Sequence, residues 1–376
     1  MFKIRKNILL APYTNYKIGG PARYFCEINN REEIIEALNF AHKENVPVFI
    51  LGEGTNILVS DKGFYGLVIK LQGFEKIQIA NNKLQIRTPQ WNRGNLVGTL
   101  KPKYQISNNK QIQDSKIIVG AGSLLGDIVN FALKNELQGL EWASGIPGTV
   151  GGAIRGNAGA FGSCMANIVE SIEMIEMKKK NLPDTCREEP WQKNDNGYKI
   201  KILNNKQLKF KYRTSIVKER EGMIILSATF KLKRIANYEL EEFSSGTGRI
   251  LTKDRIMNKR KAEDHIKYRK EHHPLKYPSC GSVFKNVERE KIKRNKELLE
   301  DIKNEVVPVA ILIAKAGLVG KKIGGAQISE KHCNFIINLG NAKAKDVINL
   351  IKLCQKEVFK KFGVKLNTEV QLVGFD

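Results

Sequence analysis

The 376-residue chain has no Cys-x-x-Cys pair; its six cysteines, Cys26, Cys164, Cys186, Cys280, Cys333 and Cys354, are scattered. That spacing excludes a disulfide framework and the usual zinc sites, so no metal is expected, and it suits a reducing cytoplasm. Long apolar runs are missing as well. The longest, VVPVAILIA at 306–314, is too short to span a bilayer, and no membrane partner is expected. The N-terminal MFKIRKNILLAPYTNYK has only a short apolar patch and no small-residue cleavage site, so a signal peptide is not expected. Two familiar nucleotide signatures are absent: there is no G-x-x-x-x-G-K-[ST], and no G-x-G-x-x-G opening a helix after a strand.

Acidic residues are also short, 39 against 63 Lys and Arg, for a formal net charge of +24. An excess of this size raises nucleic-acid binding as a reading. The lysines, however, are spread along the whole chain. The densest basic stretch, KDRIMNKRKAEDHIKYRKEHHPLK, reads as a solvated helix with interspersed acids. An anionic small substrate uses positive charge equally well, and nucleic acid is not expected as a partner.

Against these absences stands SGIPGTVGGAIRGNAGAFG at 144–162, with glycine at positions 145, 148, 151, 152, 156, 159 and 162. It holds no acid and one base, Arg155. Glycine permits positive φ and close approach of a ligand, at an entropic cost that makes stability a poor reason for such density. A flexible linker would be rich in Gly and Ser; Ile146, Val150, Ile154 and Phe161 argue against one. Bare N–H groups pointing at phosphate are the sharper reading. Two further glycine turns, GEGTN at 52–56 and GAGS at 120–123, each adjoin a strand or helix end. Three such turns fit one long ligand with two phosphates, such as FAD. No His or Cys lies within 145–162, so FAD is expected to be held non-covalently.

Periodicity predicts a helix over 31–44 and strands flanking GEGTN. Residues 66–116 alternate as strands. Then follow a strand–turn–helix over 117–137 with Ser123 as helix cap, and strands over 168–233. A composition shift near Ile235 opens a basic helical segment at 239–271. Further on come a basic helix at 288–304, a turn and strand in KIGGAQISEKHCNFIIN, a helix at 344–362 and a terminal strand. Three side chains draw chemical interest. Ser282 in SCGSVF is either a turn residue or a proton donor, and no G-x-S-x-G elbow makes it a hydrolase nucleophile. Glu369, in an otherwise apolar strand, either faces solvent or is a buried acid. Arg213 in FKYRTSIVK is either an exposed strand residue or an anion clamp.

Taken in order, YTNYKIGGPARYF, VPVFILGEGTNILVSDKGFYGLVI, GLEWASGIPGTVGGAIRGNAGAFG, FKYRTSIVK, YPSCGSVFKN, KIGGAQIS and LNTEVQLVGF resemble the flavoenzyme family of UDP-N-acetylenolpyruvoylglucosamine reductases, from Tyr13 to Phe375. The resemblance implies an α+β architecture: a two-lobed FAD-binding domain of the vanillyl-alcohol-oxidase/PCMH type, then a C-terminal α+β substrate-binding domain. The implied boundaries are 1–66 for lobe 1, 67–235 for lobe 2 with insertions near 81–115 and 178–199, and 236–376 for the substrate domain with an insertion near 288–307. FAD would rest on Gly52, Glu53, Gly54, Thr55 and Asn56, on Gly120, Gly122 and Ser123, and on Gly145, Ile146, Gly148, Thr149, Gly152 and Asn157.

The implied reaction has two halves. NADPH reduces the flavin, and hydride then passes to the enolpyruvyl double bond of UDP-GlcNAc-enolpyruvate, giving UDP-N-acetylmuramate for peptidoglycan, and so for cell-wall growth, shape and division. The catalytic positions fall on Arg213, Ser282 and Glu369, and the substrate-contacting ones on Tyr212, Asn286 and His332. No counterpart of a Tyr-bearing lid is visible, which implies the lid-less subtype, and a monomer is expected. Departures exist: Val287 follows Asn286 where the family usually has Pro, and the clamp for the UDP diphosphate stays unassigned among His272, Lys270 and Lys276. The alternative reading is an FAD-dependent oxidase of the same fold acting on another alcohol or sugar.

Overall fold

The computed structural model describes residues 3–74, 76–79, 85–87, 114–177, 197–235, 253–292 and 306–375. Most of the three expected insertions, and the 239–252 part of the basic segment, lie outside the described residues. The chain forms two compact units, Met1–Gly73 with Ile266–Asp376, and Phe74–His265.

In the first unit a four-stranded sheet runs in the order Arg5–Leu9, Pro21–Ile28, Phe64–Leu71, Val48–Leu51. Its first pairing is antiparallel and the other two are parallel. Helix Arg31–Lys43 lies between the second and last of these strands in the chain. Its start is fixed by Asn30, whose side chain accepts from the Glu33 N–H at 2.9 Å. Acids in its first turn and His42 and Lys43 in its last complement the helix dipole. Ile34, Ala37, Leu38 and Ala41 form its buried stripe.

The two chain segments of this unit are knitted together. Strand Ile57–Val59 pairs in parallel with Gln371–Val373. Tyr16 is fully buried in one core with Phe284, Leu312, Ile336, Val347 and Leu350. Its hydroxyl donates to the Ile336 carbonyl, and its own carbonyl accepts from Asn338 Nδ2, both at 2.9 Å. Each large side chain enclosed this way contributes roughly 1.5–3 kcal/mol. The N-terminal segment therefore closes with the C-terminal one, so the compact units do not follow the three-part division in chain order. Helix Ala344–Phe362 covers this core with Val347, Leu350, Ile351, Cys354 and Val358, and ends at Gly363 in the left-handed region, φ 68°.

The second unit is built on an antiparallel sheet in the order Tyr198–Asn204, Val169–Met177, Met223–Arg234, Asp114–Gly120, Lys76–Ile79, Gln85–Arg87. Leu137–Gln138 pairs with the far end of the long central strand. Leu226, Ala228, Phe230 and Leu232 are buried at every second position along that strand, as the pleat requires.

Two expectations need correction. Ser123 does not cap helix Leu125–Lys134; the cap position is Leu124, with no side-chain hydrogen bond. Ser123 is instead buried, with its Oγ 3.5 Å from the Phe74 carbonyl. The expected basic helix at 288–304 begins differently as well. Val287–Glu288 is a short strand paired with Val306–Val307, followed by a 3-10 turn over Arg289–Ile292. Val287, Ile292 and Val307 are buried in the core, so a solvated helix does not start at 288; residues 293–304 of the expected helix lie outside the described residues.

Candidate active site

In the second unit the glycine-rich run and the GAGS turn are locked together by main-chain hydrogen bonds. Gly151 donates to the Ala121 carbonyl at 2.8 Å, Val150 to Ser123 at 2.9 Å, and Leu125 to Gly148 at 2.9 Å. A side chain at Gly120 would put its Cβ 1.9 Å from the Phe74 carbonyl oxygen, so only glycine permits this closure. Gly145 and Gly148 have φ of 72° and 122°, conformations that L side chains rarely adopt. Gly145 and Gly152 are exposed and Gly148 half-buried, so main chain rather than side chain forms the surface here. Thr149 opens helix Val150–Arg155, its Oγ1 accepting from the Gly152 N–H.

Arg213 is brought to this run. It lies in a turn closed by Lys211 and Thr214, not in a strand, and has φ 56°. Its Nη2 donates to the Gly159 carbonyl at 2.8 Å. Two more bonds fix the approach: Asn157 Nδ2 to the Lys211 carbonyl at 2.9 Å, and Ser215 Oγ to the Arg155 carbonyl at 2.8 Å. Asn157 Oδ1 also accepts from Ala166 N–H, so this buried side chain ties the glycine run to the Arg213 turn. Tyr212, beside Arg213 in the turn, is half exposed, with the guanidinium 5.2 Å from its ring centre.

In the first unit the GEGTN turn and the Ser282 segment meet. Gly54, φ 63°, packs on Tyr13, whose carbonyl a Cβ would approach to 2.4 Å. Asn15 links the turn to the serine segment, its N–H donating to the Gly54 carbonyl and its Nδ2 to the Ser279 carbonyl. Glu53 turns its carboxylate to Lys70, 3.4 Å away, so it does not present an unopposed charge to an anion. Asn56 Nδ2 donates to the Glu369 carbonyl at 3.3 Å. Glu369 in turn donates its N–H to the Val283 carbonyl at 2.7 Å. Ser282 and Glu369 thus sit on neighbouring, hydrogen-bonded segments. Gly281 before the serine has φ 79°, and a Cβ there would meet nothing within 4 Å. Burial pushes the adjacent Cys280 thiol up to about 12, so it is not a competing nucleophile or acid.

The sequence matches the family model for the C-terminal domain of UDP-N-acetylenolpyruvoylglucosamine reductase over 273–373, and that for an FAD-binding domain over 22–89 and 103–179. The reductase of Caldanaerobacter subterraneus subsp. tengcongensis is 38% identical over 99% of this chain and 94% of its own length. The chain belongs to the UDP-N-acetylenolpyruvoylglucosamine reductase family. The Clostridium novyi member is 34% identical over 99% of this chain and 92% of its own. The crystal structure of the Thermus caldophilus reductase superposes with a TM-score of 0.64 at 26% identity, covering 99% of this chain and 100% of that one. The expected architecture, a two-lobed FAD-binding domain followed by a C-terminal α+β domain, holds.

Of the positions that the reductase resemblance implies, Arg213, Tyr212 and the turns at 120–123 and 145–157 lie in the second unit. Ser282, Asn286, His332, Glu369 and the turn at 52–56 lie in the first. FAD fits what is present. The 144–162 run offers surface main chain in glycine-only conformations, one basic side chain and no carboxylate, which is the donor chemistry a pyrophosphate needs. Asn286 has a structural partner, its Oδ1 accepting the Val309 N–H at the start of helix Val309–Lys315.

His332 belongs to an aromatic cluster that sequence reading missed. Its ring stands edge-on to His273 and Phe335, with centroids at 5.6 and 4.8 Å, while His272 stacks on Tyr268 at 4.1 Å. Burial, joined by Arg269, His332, His272 and Lys331, pulls His273 down to about 4. The folded protein therefore holds His273 neutral, while the unfolded chain takes up a proton near the ordinary value of 6.5. Stability present above that value is lost as pH falls toward about 4. A melting-temperature series from pH 7 downward is expected to fall more steeply in the wild type than in His273→Gln; superimposed curves would refute the assignment.

Proposed function

We propose that the chain reduces the enolpyruvyl group of UDP-GlcNAc-enolpyruvate to give UDP-N-acetylmuramate, a peptidoglycan precursor, with non-covalent FAD and NADPH as hydride donor, acting as a cytoplasmic monomer. The observation that carries this is the hydrogen-bonded juxtaposition of Ser282 and Glu369 beside the GEGTN turn, in a chain that matches its family over nearly its whole length. We retain the functional division into lobes 1–66 and 67–235 and a substrate domain at 236–376 as part of this proposal.

FAD, when bound, supplies the hydride carrier between nicotinamide and the enolpyruvyl double bond. The main chain of Gly52–Asn56, Gly120–Ser123 and Gly145–Gly152 would hold it, with Asn157 fixing the last of these in place. Hydride added to one vinyl carbon leaves negative charge delocalised from the other into the substrate carboxylate. Arg213 stabilises that charge with a fixed guanidinium. Glu369 engages the same substrate carboxylate and helps to hold it as the charge develops. Ser282 Oγ delivers its proton to the enolate carbon as general acid. Tyr212, Asn286 and His332 contact the remainder of the substrate.

The direct test is product identity. Purified protein, NADPH and UDP-GlcNAc-enolpyruvate are expected to yield UDP-N-acetylmuramate by mass spectrometry. A flavin-loaded protein that consumes NADPH but leaves the enolpyruvyl compound unchanged would overturn the assignment. Membership of the reductase family sets aside the oxidase alternative.

A further inference from the structure

We propose that Asn334 is a positioning residue for Ser282, acting through a two-way amide clamp on the main chain of Phe284; the inference rests on Ser282 being the proton donor. Asn334 is buried at 4% exposure, between His332 and Phe335. Its Oδ1 accepts the Phe284 N–H and its Nδ2 donates to the Phe284 carbonyl, both at 2.9 Å. Its own carbonyl accepts the Val283 N–H at 2.8 Å. On the opposite edge, the Val283 carbonyl accepts the Glu369 N–H. The two residues that follow Ser282 are therefore held between Asn334 and the segment carrying Glu369.

A primary amide presents a donor and an acceptor in one plane, which a residue's own N–H and C=O match. Alanine leaves both groups of Phe284 unpaired in a buried position. Ionised aspartate keeps the acceptor and sets a second oxygen against the Phe284 carbonyl. Protonated aspartate restores the donor and reproduces the amide pattern. The Asn334 N–H also donates to His332 Nδ1 at 3.3 Å, so the same residue anchors the turn that carries His332.

The test uses full-length, FAD-loaded N334A, N334D and S282A, and follows each half-reaction by flavin absorbance. In N334A, bleaching by NADPH is expected at the wild-type rate, with recovery on adding UDP-GlcNAc-enolpyruvate slowed roughly 100-fold, the scale for a misplaced reacting group. In N334D, the recovery rate, taken relative to wild type at each pH, is expected to rise as pH is lowered. Equal slowing of both half-reactions in N334A, or no rise in N334D, would reduce Asn334 to a residue that only supports the fold. If N334A does not fold, N334D alone decides. A slow S282A beside a fast N334A would sink the clamp alone, whereas a fast S282A would sink the Ser282 assignment on which it rests.

Discussion

Ser282→Ala is expected to leave NADPH-driven flavin bleaching near its wild-type rate and to slow reoxidation by the enolpyruvyl substrate by about 10²–10⁴-fold. The effect is confined to one half-reaction because the hydroxyl has no part in hydride arrival from NADPH. A serine hydroxyl is a weak acid, but the enolate it meets is a strong base, so loss of the proton is downhill once hydride has been added. Among the described residues beside it, none is placed to substitute for it. Cys280 is fully enclosed with its thiol pushed up to about 12, and Glu369 is assigned to the carboxylate. Deletion of the hydroxyl changes no main-chain contact of Val283 or Phe284, so FAD content and melting temperature should be unchanged. Equal slowing of both halves would show that the serine shapes the site rather than donating the proton.

Replacement of Arg213 should be nearly as damaging, and lysine should not rescue it. If Arg213 stabilises the enolate as proposed, Arg213→Ala should cost on the order of 10²–10³ in rate, the scale for a single preorganised donor. The guanidinium is held by the Gly159 carbonyl at 2.8 Å, and the residue sits at φ 56° in its turn, anchored further by Lys218 Nζ on its own carbonyl. A lysine cannot span a carbonyl and a substrate carboxylate with one planar fork. Arg213→Lys should therefore show a depressed rate of the second half-reaction with flavin binding retained. A lysine variant at the wild-type rate would mean that charge alone suffices, and that the Gly159 contact has no role in the chemistry.

The elements with strong local signals were legible. Helices Arg31–Lys43 and Ala344–Phe362 and strand Met223–Arg234 follow their hydrophobic periodicity. The glycine run at 144–162 stood out because a dense run without acids has few other uses, and the two shorter glycine turns stood out by adjoining a strand or helix end. Features made by distant residues were not legible. The pairing of Ile57–Val59 with Gln371–Val373 has no local trace, and it is what closes the first and last segments of the chain into one unit. Asn334 reaches a partner 50 positions away. In the sequence it is one polar residue before the apolar run FII. Arg213 read as either an exposed strand residue or an anion clamp, and its left-handed φ, set by the closing pair Lys211 and Thr214, has no trace in the local pattern. Ser123 looked like a helix cap by type and spacing, but the approach of the Phe74 carbonyl draws it inward. Pattern alone left Ser282, Glu369 and Arg213 as isolated suspects, and the adjacency of the first two exists only in the fold.

The central claim is tested most directly by an anaerobic stopped-flow run on the FAD-loaded protein. NADPH is added first and UDP-GlcNAc-enolpyruvate second, with flavin absorbance recorded throughout. The account predicts bleaching by NADPH and then full recovery of the oxidised band on addition of the enolpyruvyl substrate, with UDP-N-acetylmuramate formed in step. Bleaching that persists in the presence of that substrate would contradict it.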